Sequence, residues 1–237
     1  MQRNPYLFDN AAEAETAERF ANLDALYNFR TFRFLETAGI APGWHCLEVG
    51  GGSGSVAAWM ADRAGPSGYV LVTDIDPRFM EASAYRKAAH MELRRHDIGT
   101  DALPEQAFDL IHARLVLMHV PQRREALARL VAALKPRGWL VIEDFDGRVI
   151  DRTIPVPDAV AAASFKRARD ALVRLVEDRG FEVEWGRRLY ERLKAARCRE
   201  LRASAHGGPS PKDWSRTPRS TPCWRVSTHR ILRSSRW

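Results

Sequence analysis

Hydrophobic positions along this chain follow two rhythms. Short apolar runs, each closed by a charged residue or a loop, alternate with stretches in which apolar residues return every three or four positions. The runs at 46–49 (CLEV), 69–74 (YVLVTD), 91–95 (MELRR), 107–113 (AFDLIHA) and 139–142 (WLVI) predict five strands. Between them, 55–63, 77–89 and 122–135 predict helices; in the last, Leu127, Leu130, Val131 and Leu134 form one apolar face. Glycine and proline punctuate the pattern at Pro42-Gly43, Gly65-Pro66-Ser67-Gly68 and Pro136-Arg137-Gly138. Strands alternating with helices imply a parallel sheet covered on both faces.

The flanks of this pattern differ. Ahead of it, 4–38 reads as helix after a polar lead. Leu23, Leu26 and Tyr27 share one face, Asn28 stands as the N-cap of a second helix carrying Phe32 and Leu35, and Gly39 is the stop. Behind it come a loop over 145–157 and a long helix over 158–178, in which Ala161, Phe165, Ala168, Leu172 and Leu175 recur at helical spacing. Gly180 ends that helix, another follows over 186–197, and 199–205 shows the thin alternation of a sixth strand. From Ala205 onward neither period is present. Three regions follow: an N-terminal helical cap (1–40), a core domain (41–204) with a lid insertion at about 145–185, and a basic tail (205–237) whose composition predicts disorder.

The stretch 45–55 (HCLEVGGGSGS) ends a strand in a glycine-rich loop that runs into a helix, the arrangement by which a Rossmann-like sheet builds a nucleoside pocket. Gly50, Gly51, Gly52 and Gly54 permit close backbone approach to a ligand. The dinucleotide fingerprint is imperfect, because counting from Gly50 and Gly52 its last glycine is Ser55. Glu48, just ahead of the loop, would repel a pyrophosphate but suits a ligand carrying an ammonium and a sulfonium. Asp74 closes the second strand at the distance from the loop where an acid meets ribose hydroxyls, and Asp97 closes the third. Asp76, before Pro77, reads as a helix cap.

Charge changes the picture less than its total implies. The net +7 resides in the tail: from Arg199 onward there are nine of the 37 Lys and Arg against two of the 30 Asp and Glu, so the rest is balanced. Arginine with interleaved tryptophan in that tail could bind single-stranded nucleic acid, although a nucleic-acid partner is not the expectation; a chain end whose reading frame has shifted would look the same. Cys46, Cys198 and Cys223 lack C-x-x-C spacing, so neither a disulfide framework nor a metal site is indicated. With no signal-peptide pattern and no apolar run long enough for a membrane span, a reducing cytoplasm and no membrane association are expected.

In order, LEVGGGSG, VTDIDP, HDI, FDLIHARLVLMHVP and LKPRGWLVIED, covering Leu47 to Asp144, resemble the successive motifs of the class I S-adenosylmethionine-dependent methyltransferases. The N-terminal helices resemble those of bacterial small-molecule members. The resemblance implies a Rossmann-like, doubly wound, mostly parallel sheet of order 3-2-1-4-5-7-6 with the last strand antiparallel; no convincing strand follows Ala205, so the closing hairpin is expected to be incomplete. It implies S-adenosylmethionine as cofactor and methyl transfer to an O, N or C atom of a small-molecule substrate. Gly50, Gly52 and Gly54 would line its methionine half with Glu48 near the amino group. Asp74 would take the ribose hydroxyls and Ile75 would pack on adenine. Asp97 would accept from the adenine amine beside Ile98, and Ala113 and Arg114 would pass the sulfonium.

For a hydroxyl acceptor a base is useful, and His119, His112 and Asp144 lie at or after strand ends that such folds use for chemistry. Arg114 is expected to bind an acidic substrate or to pair with Asp109 or Glu143. Phe8, Tyr27, Phe145 and Trp185 are candidates for an apolar pocket, with core packing the alternative. Two rival readings are an NAD(P)-dependent oxidoreductase on a similar sheet and a non-catalytic or nucleic-acid-binding protein using the basic tail. The oligomeric state is open.

Overall fold

The computed structural model describes residues 13–81, 85, 88–147, 157–196, 198, 201–205 and 224–227. Phe8 and much of the 145–157 loop lie outside them, as does most of the tail.

The sheet has strands β1 (His45–Val49), β2 (Tyr69–Asp74), β3 (Met91–Arg95), β4 (Phe108–Arg114), β5 (Leu134–Glu143), β6 (Arg202–Ala205) and β7 (Trp224–Ser227) in the order 3-2-1-4-5-7-6. The first five are parallel, and β7 runs antiparallel to both β5 and β6. The helices are α1 (Glu13–Ala38), α2 (Ser55–Ala64), α3 (Arg78–Glu81), α4 (Arg123–Ala133), α5 (Ala159–Glu177) and α6 (Trp185–Ala195), with a 3-10 turn at Leu117–His119.

Period-2 alternation divides the strand residues between two cores. Cys46, Val70, Leu110 and Val141 point to the layer holding Leu35 of α1 and Met60 of α2. Leu47, Leu71, Ile111 and Ile142 point to the other, with Leu127 and Leu130 of α4 and Trp185, Leu189 and Leu193 of α6. Every central strand is therefore apolar on both sides, which is why these runs read as continuous rather than alternating.

Several expectations are corrected. The N-terminal segment is one unbroken helix, and Asn28 is not a cap: its side chain reaches Ser55 and Arg114. β5 begins at Leu134 rather than Trp139. Phe108 pairs with Leu134 and Leu110 already with Trp139, so residues 135–138 bulge out of the ladder, with Arg137 at φ 71°. A bulge accommodates Pro136, which has no N–H to give the ladder. The tail does supply a strand, β7; Trp224 and Val226 alternate with Arg225 and Ser227, a period-2 signal only four residues long amid Ser, Pro and Arg. The periodicity of α5 does not translate into burial: none of its residues is buried, and Leu172 and Leu175 are 52% and 44% exposed.

Candidate active site

The glycine loop leaves β1 in a left-handed bend, with Gly50 at φ 72° and Gly52 at φ 52°. Gly50 N and Gly51 N donate to Thr73 O of β2 at 2.7 and 3.1 Å, pinning the loop to the neighbouring strand. A Cβ on Gly50 would lie 2.4 Å from Val116 Cγ2, and one on Gly51 2.5 Å from Val72 Cγ1. Only glycines bring the backbone this close to its surroundings.

The next two strand ends present acids beside the loop. Asp74 Oδ2 accepts from Gly52 N at 3.1 Å and Oδ1 from Asp76 N at 2.9 Å, while burial pushes its carboxyl above the usual range. Asp76 accepts from the Arg78 amide and guanidinium, in keeping with the capping expectation. His96 N donates to Asp74 O at 2.8 Å and draws the end of β3 alongside. There Asp97 Oδ1 accepts from Gly99 N at 2.8 Å. Ile75 is half-buried beside Asp74, and Ile98 is buried in the core next to Asp97.

Across the loop, β4 ends at Ala113, which is buried, and Arg114. The residue that follows, Leu115, has φ 57° and donates its N–H to Glu143 O at 2.7 Å. Left-handed leucine is strained, and such strain collects at functional turns. Arg114 pairs with neither Asp109 nor Glu143. Its guanidinium reaches Asp24 Oδ1 (3.0 Å), Asn28 Oδ1 (2.8 Å) and Thr31 Oγ1 (3.2 Å), all on α1. Asp109 instead binds Lys135 at 2.6 Å and the His45 amide at 2.8 Å.

Asp24 is the hub of this cap. Besides Arg114 it accepts from Ser53 Oγ and Ser55 Oγ, each at 2.7 Å, so one carboxylate ties α1 to the glycine loop and to the end of β4. Phe20, one turn earlier, lies against Gly52 and edge-on to Phe79. One turn later Tyr27 meets Phe145 at 5.9 Å between ring centroids. Asp24, Thr31 and Ser53 were not singled out from the sequence, and Asn28 and Ser55 were read only as a helix cap and as the position that breaks the dinucleotide fingerprint. Their signal was there: 24, 28 and 31 place polar residues on the stripe of α1 that also carries Leu35 and would ordinarily be apolar.

The three candidate bases have different surroundings. His112 is fully buried, with Nδ1 2.6 Å from Glu48 Oε2 and Nε2 3.3 Å from Glu143 Oε1; the two carboxylates hold its pKa up to about 9 against the opposing effect of burial. Asp144 is buried beside Trp185 and the Met118 amide, and desolvation pushes its carboxyl well above the usual range. His119 is half-buried at the end of the 3-10 turn, edge-on to Phe181 at 4.9 Å. Burial, helped by Arg19 and Arg123, pushes its pKa down to about 4, so its imidazole is neutral at physiological pH. The structure thus gathers Glu48 and His112 into one buried cluster with Glu143. Asp74 and Asp97 remain at the rim, and His119 sits under aromatic cover. Trp185 is wholly buried against Arg192, a core residue rather than a pocket wall. Among the described residues no group of His, Cys, Asp and Glu is arranged to hold a metal, and no helix is long and apolar enough to cross a membrane.

The cradle fits the cofactor implied by the motifs: a glycine loop held close against its surroundings, with the carboxylates of Asp74 and Asp97 at successive strand ends. Comparison with known proteins agrees. A family profile described as "Methyltransferase domain" matches residues 47–140. Methyltransferase str2 of Strobilurus tenacellus is 30% identical over 75% of this chain and 62% of its own length. The ubiquinone/menaquinone biosynthesis C-methyltransferase UbiE of Bordetella avium is 32% identical over 51% of this chain and 48% of its own. The chain therefore spans about half to three-fifths of the curated relatives it matches. The same fold is seen in phosphoethanolamine N-methyltransferase 2 of Haemonchus contortus, solved with S-adenosylhomocysteine (TM-score 0.56, 18% identity, 76% of this chain and 38% of that one). Residues 47–140 thus match a methyltransferase domain, and the 3-2-1-4-5 parallel core with its glycine loop has the fold of S-adenosylmethionine-dependent methyltransferases.

Proposed function

We propose that the protein transfers a methyl group from S-adenosylmethionine to a small-molecule acceptor, most readily a carbon of a hydroxylated ring. The observation that carries this reading is the cradle: a glycine loop clamped by α1 through Asp24, flanked by Asp74 and Asp97, with the neutral His119 beneath an aromatic cover. The curated C-methyltransferase relatives support carbon as the acceptor atom.

When bound, the cofactor supplies an electrophilic methyl group on a positively charged sulfur. The chain's own residues do the rest. The backbone of Gly50, Gly51, Gly52 and Gly54 would hold the methionine half, with Glu48 near its amino group. Asp74 would take the ribose hydroxyls and Asp97 the adenine amine, between Ile75 and Ile98. Ala113 and Arg114 would pass the sulfur with their backbone, the Arg114 guanidinium being committed to α1. Because the leaving sulfide is neutral, holding donor and acceptor in line supplies much of the rate. Burial makes His119 a weak base, so it takes the hydroxyl proton only as the new C–C bond forms and that hydroxyl becomes strongly acidic; the methylated ring carbon then gives up its own hydrogen to solvent as a proton. His112 is enclosed by two carboxylates and Asp144 lies out of contact with solvent, so neither reaches an acceptor.

Calorimetry with S-adenosylhomocysteine, followed by a radiolabelled-methyl screen of phenolic, amine and carboxylate acceptors, tests the proposal. Saturable binding and product from a phenolic acceptor are expected; a thermal shift with NAD and none with S-adenosylhomocysteine would overturn it. His119→Asn should lower turnover by roughly 100-fold or more while leaving S-adenosylhomocysteine affinity within about twofold. Unchanged turnover removes His119 from the mechanism.

A further inference from the structure

We propose that His112 is a positioning residue: gripped between Glu48 and Glu143, it fixes the Glu48 carboxylate beneath the glycine loop and thereby sets the affinity of the cofactor site. The inference rests on the cofactor reading given above.

Glu48, His112 and Glu143 stand on the adjacent strands β1, β4 and β5. Glu48 and His112 are direct partners in the β1–β4 register, and the two contacts of 2.6 and 3.3 Å place a carboxylate on each ring nitrogen. A neutral imidazole has one N–H and would turn a lone pair toward one carboxylate. A doubly protonated ring donates to both, and the attraction of the two carboxylates, working against burial, favours that form. Neither glutamate has an exposed route to solvent, and burial pushes Glu48 toward protonation while His112 opposes it. Loss of the central cation would leave two buried carboxylates facing each other, and at least one would take up a proton.

Few other groups could replace that cation. Arg114, also on β4, is near enough to act on Glu48, but α1 holds its guanidinium through Asp24, Asn28 and Thr31. Asp144, just after β5, supplies no cation, and Arg123 of α4 acts on Asp144 and is itself bound to Glu182. The brace also passes beyond the side chains, because Glu143 O accepts from the strained Leu115. His112 thus links the loop after β1 to the turn after β4.

The test is calorimetric titration of the full chain with S-adenosylhomocysteine between pH 7 and 10, for wild type, His112→Gln and Glu143→Gln, with melting curves to report folding. His112→Gln should bind roughly tenfold or more weakly at pH 7, the scale of a lost charge-assisted hydrogen bond. Wild-type affinity should fall toward the variant's as pH rises through about 9, where the imidazolium loses its proton. Any change from the ligand's own amine occurs in both proteins, so the difference between the curves is the readout. Glu143→Gln removes one of the carboxylates that hold the proton on His112, and should move the wild-type step to lower pH. It also keeps the proposal testable if His112→Gln does not fold. A His112→Gln protein that matches wild type at every pH, or a Glu143→Gln step that does not move, overturns the positioning role. A wild type that binds S-adenosylhomocysteine at no pH overturns the cofactor reading itself.

Discussion

Asp24→Ala is expected to lower the melting temperature by roughly 5–10 °C and to weaken S-adenosylhomocysteine binding, although Asp24 touches none of the residues assigned to the adenosine half. Asp24 and Arg114 are each only 12% exposed, and removing one partner leaves the other as an uncompensated, largely buried charge. Such a break costs about 3–5 kcal/mol for a fully buried pair, and about 2–3 kcal/mol here because some solvent reaches the pair and Asn28 and Thr31 still accept from Arg114. For a chain of this size each kcal/mol corresponds to about 2–4 °C. Ser53 and Ser55 lose the Asp24 acceptor in the same step, which loosens the hold of α1 on the glycine loop and leaves the contact of Asn28 with Ser55 to keep them together. Asp24→Asn, which keeps an acceptor oxygen, should recover part of the loss. Scanning calorimetry of the two variants checks both statements, and an Asp24→Ala protein that melts with the wild type would show the clamp to be decorative.

Gly50→Ala is expected to reduce S-adenosylhomocysteine affinity by more than about 100-fold. Two costs combine. The backbone at φ 72° is disfavoured for any L side chain by about 1–2 kcal/mol. The new Cβ also meets Val116 Cγ2 at 2.4 Å, so either Val116 or the loop must move. Val116 follows the strained Leu115 and begins the turn that leads to His119, and the loop is held by Thr73 O; displacing either shifts one wall of the site. Adding Val116→Ala to Gly50→Ala relieves the clash and leaves the backbone cost, so the double variant should regain part of the affinity. Full recovery would mean that φ is irrelevant, and no recovery that Val116 is. Isothermal titration of the three proteins separates these outcomes.

The strands of the core were legible because each is an apolar run closed by punctuation: the tetrad before Gly50, YVLVTD before Ile75 and FDLIHA before Arg114. The acids at their ends were legible for the same reason, since a carboxylate on a buried strand stands out. What joins those ends was not. His112 lies 64 positions from Glu48, and Arg114 lies 90 from Asp24. Nothing local distinguishes a histidine that will sit between two glutamates from one that faces an acceptor. Asn28 shows the same difficulty, since an asparagine between two helical segments is as good a cap as it is a bridge, and only the fold decides. At β7 the reverse holds: four residues of alternation carry too little pattern to stand out from their neighbours, and pairing with both β5 and β6 makes them a strand.

The strand order also bears on how the chain is made. β1 lies between β2 and β4, although β2 and β3 are the strands that leave the ribosome next. Until residues 108–114 have been synthesised, one edge of β1, with Cys46, Leu47 and Val49 on it, has no neighbour to hydrogen-bond. An open edge on a strand that will be central invites pairing with other nascent chains. Truncations ending between Asp74 and Phe108 should therefore collect as aggregates, whereas those ending after Arg114 retain both partners of β1; during translation, chaperones should meet this protein chiefly before that second length is reached.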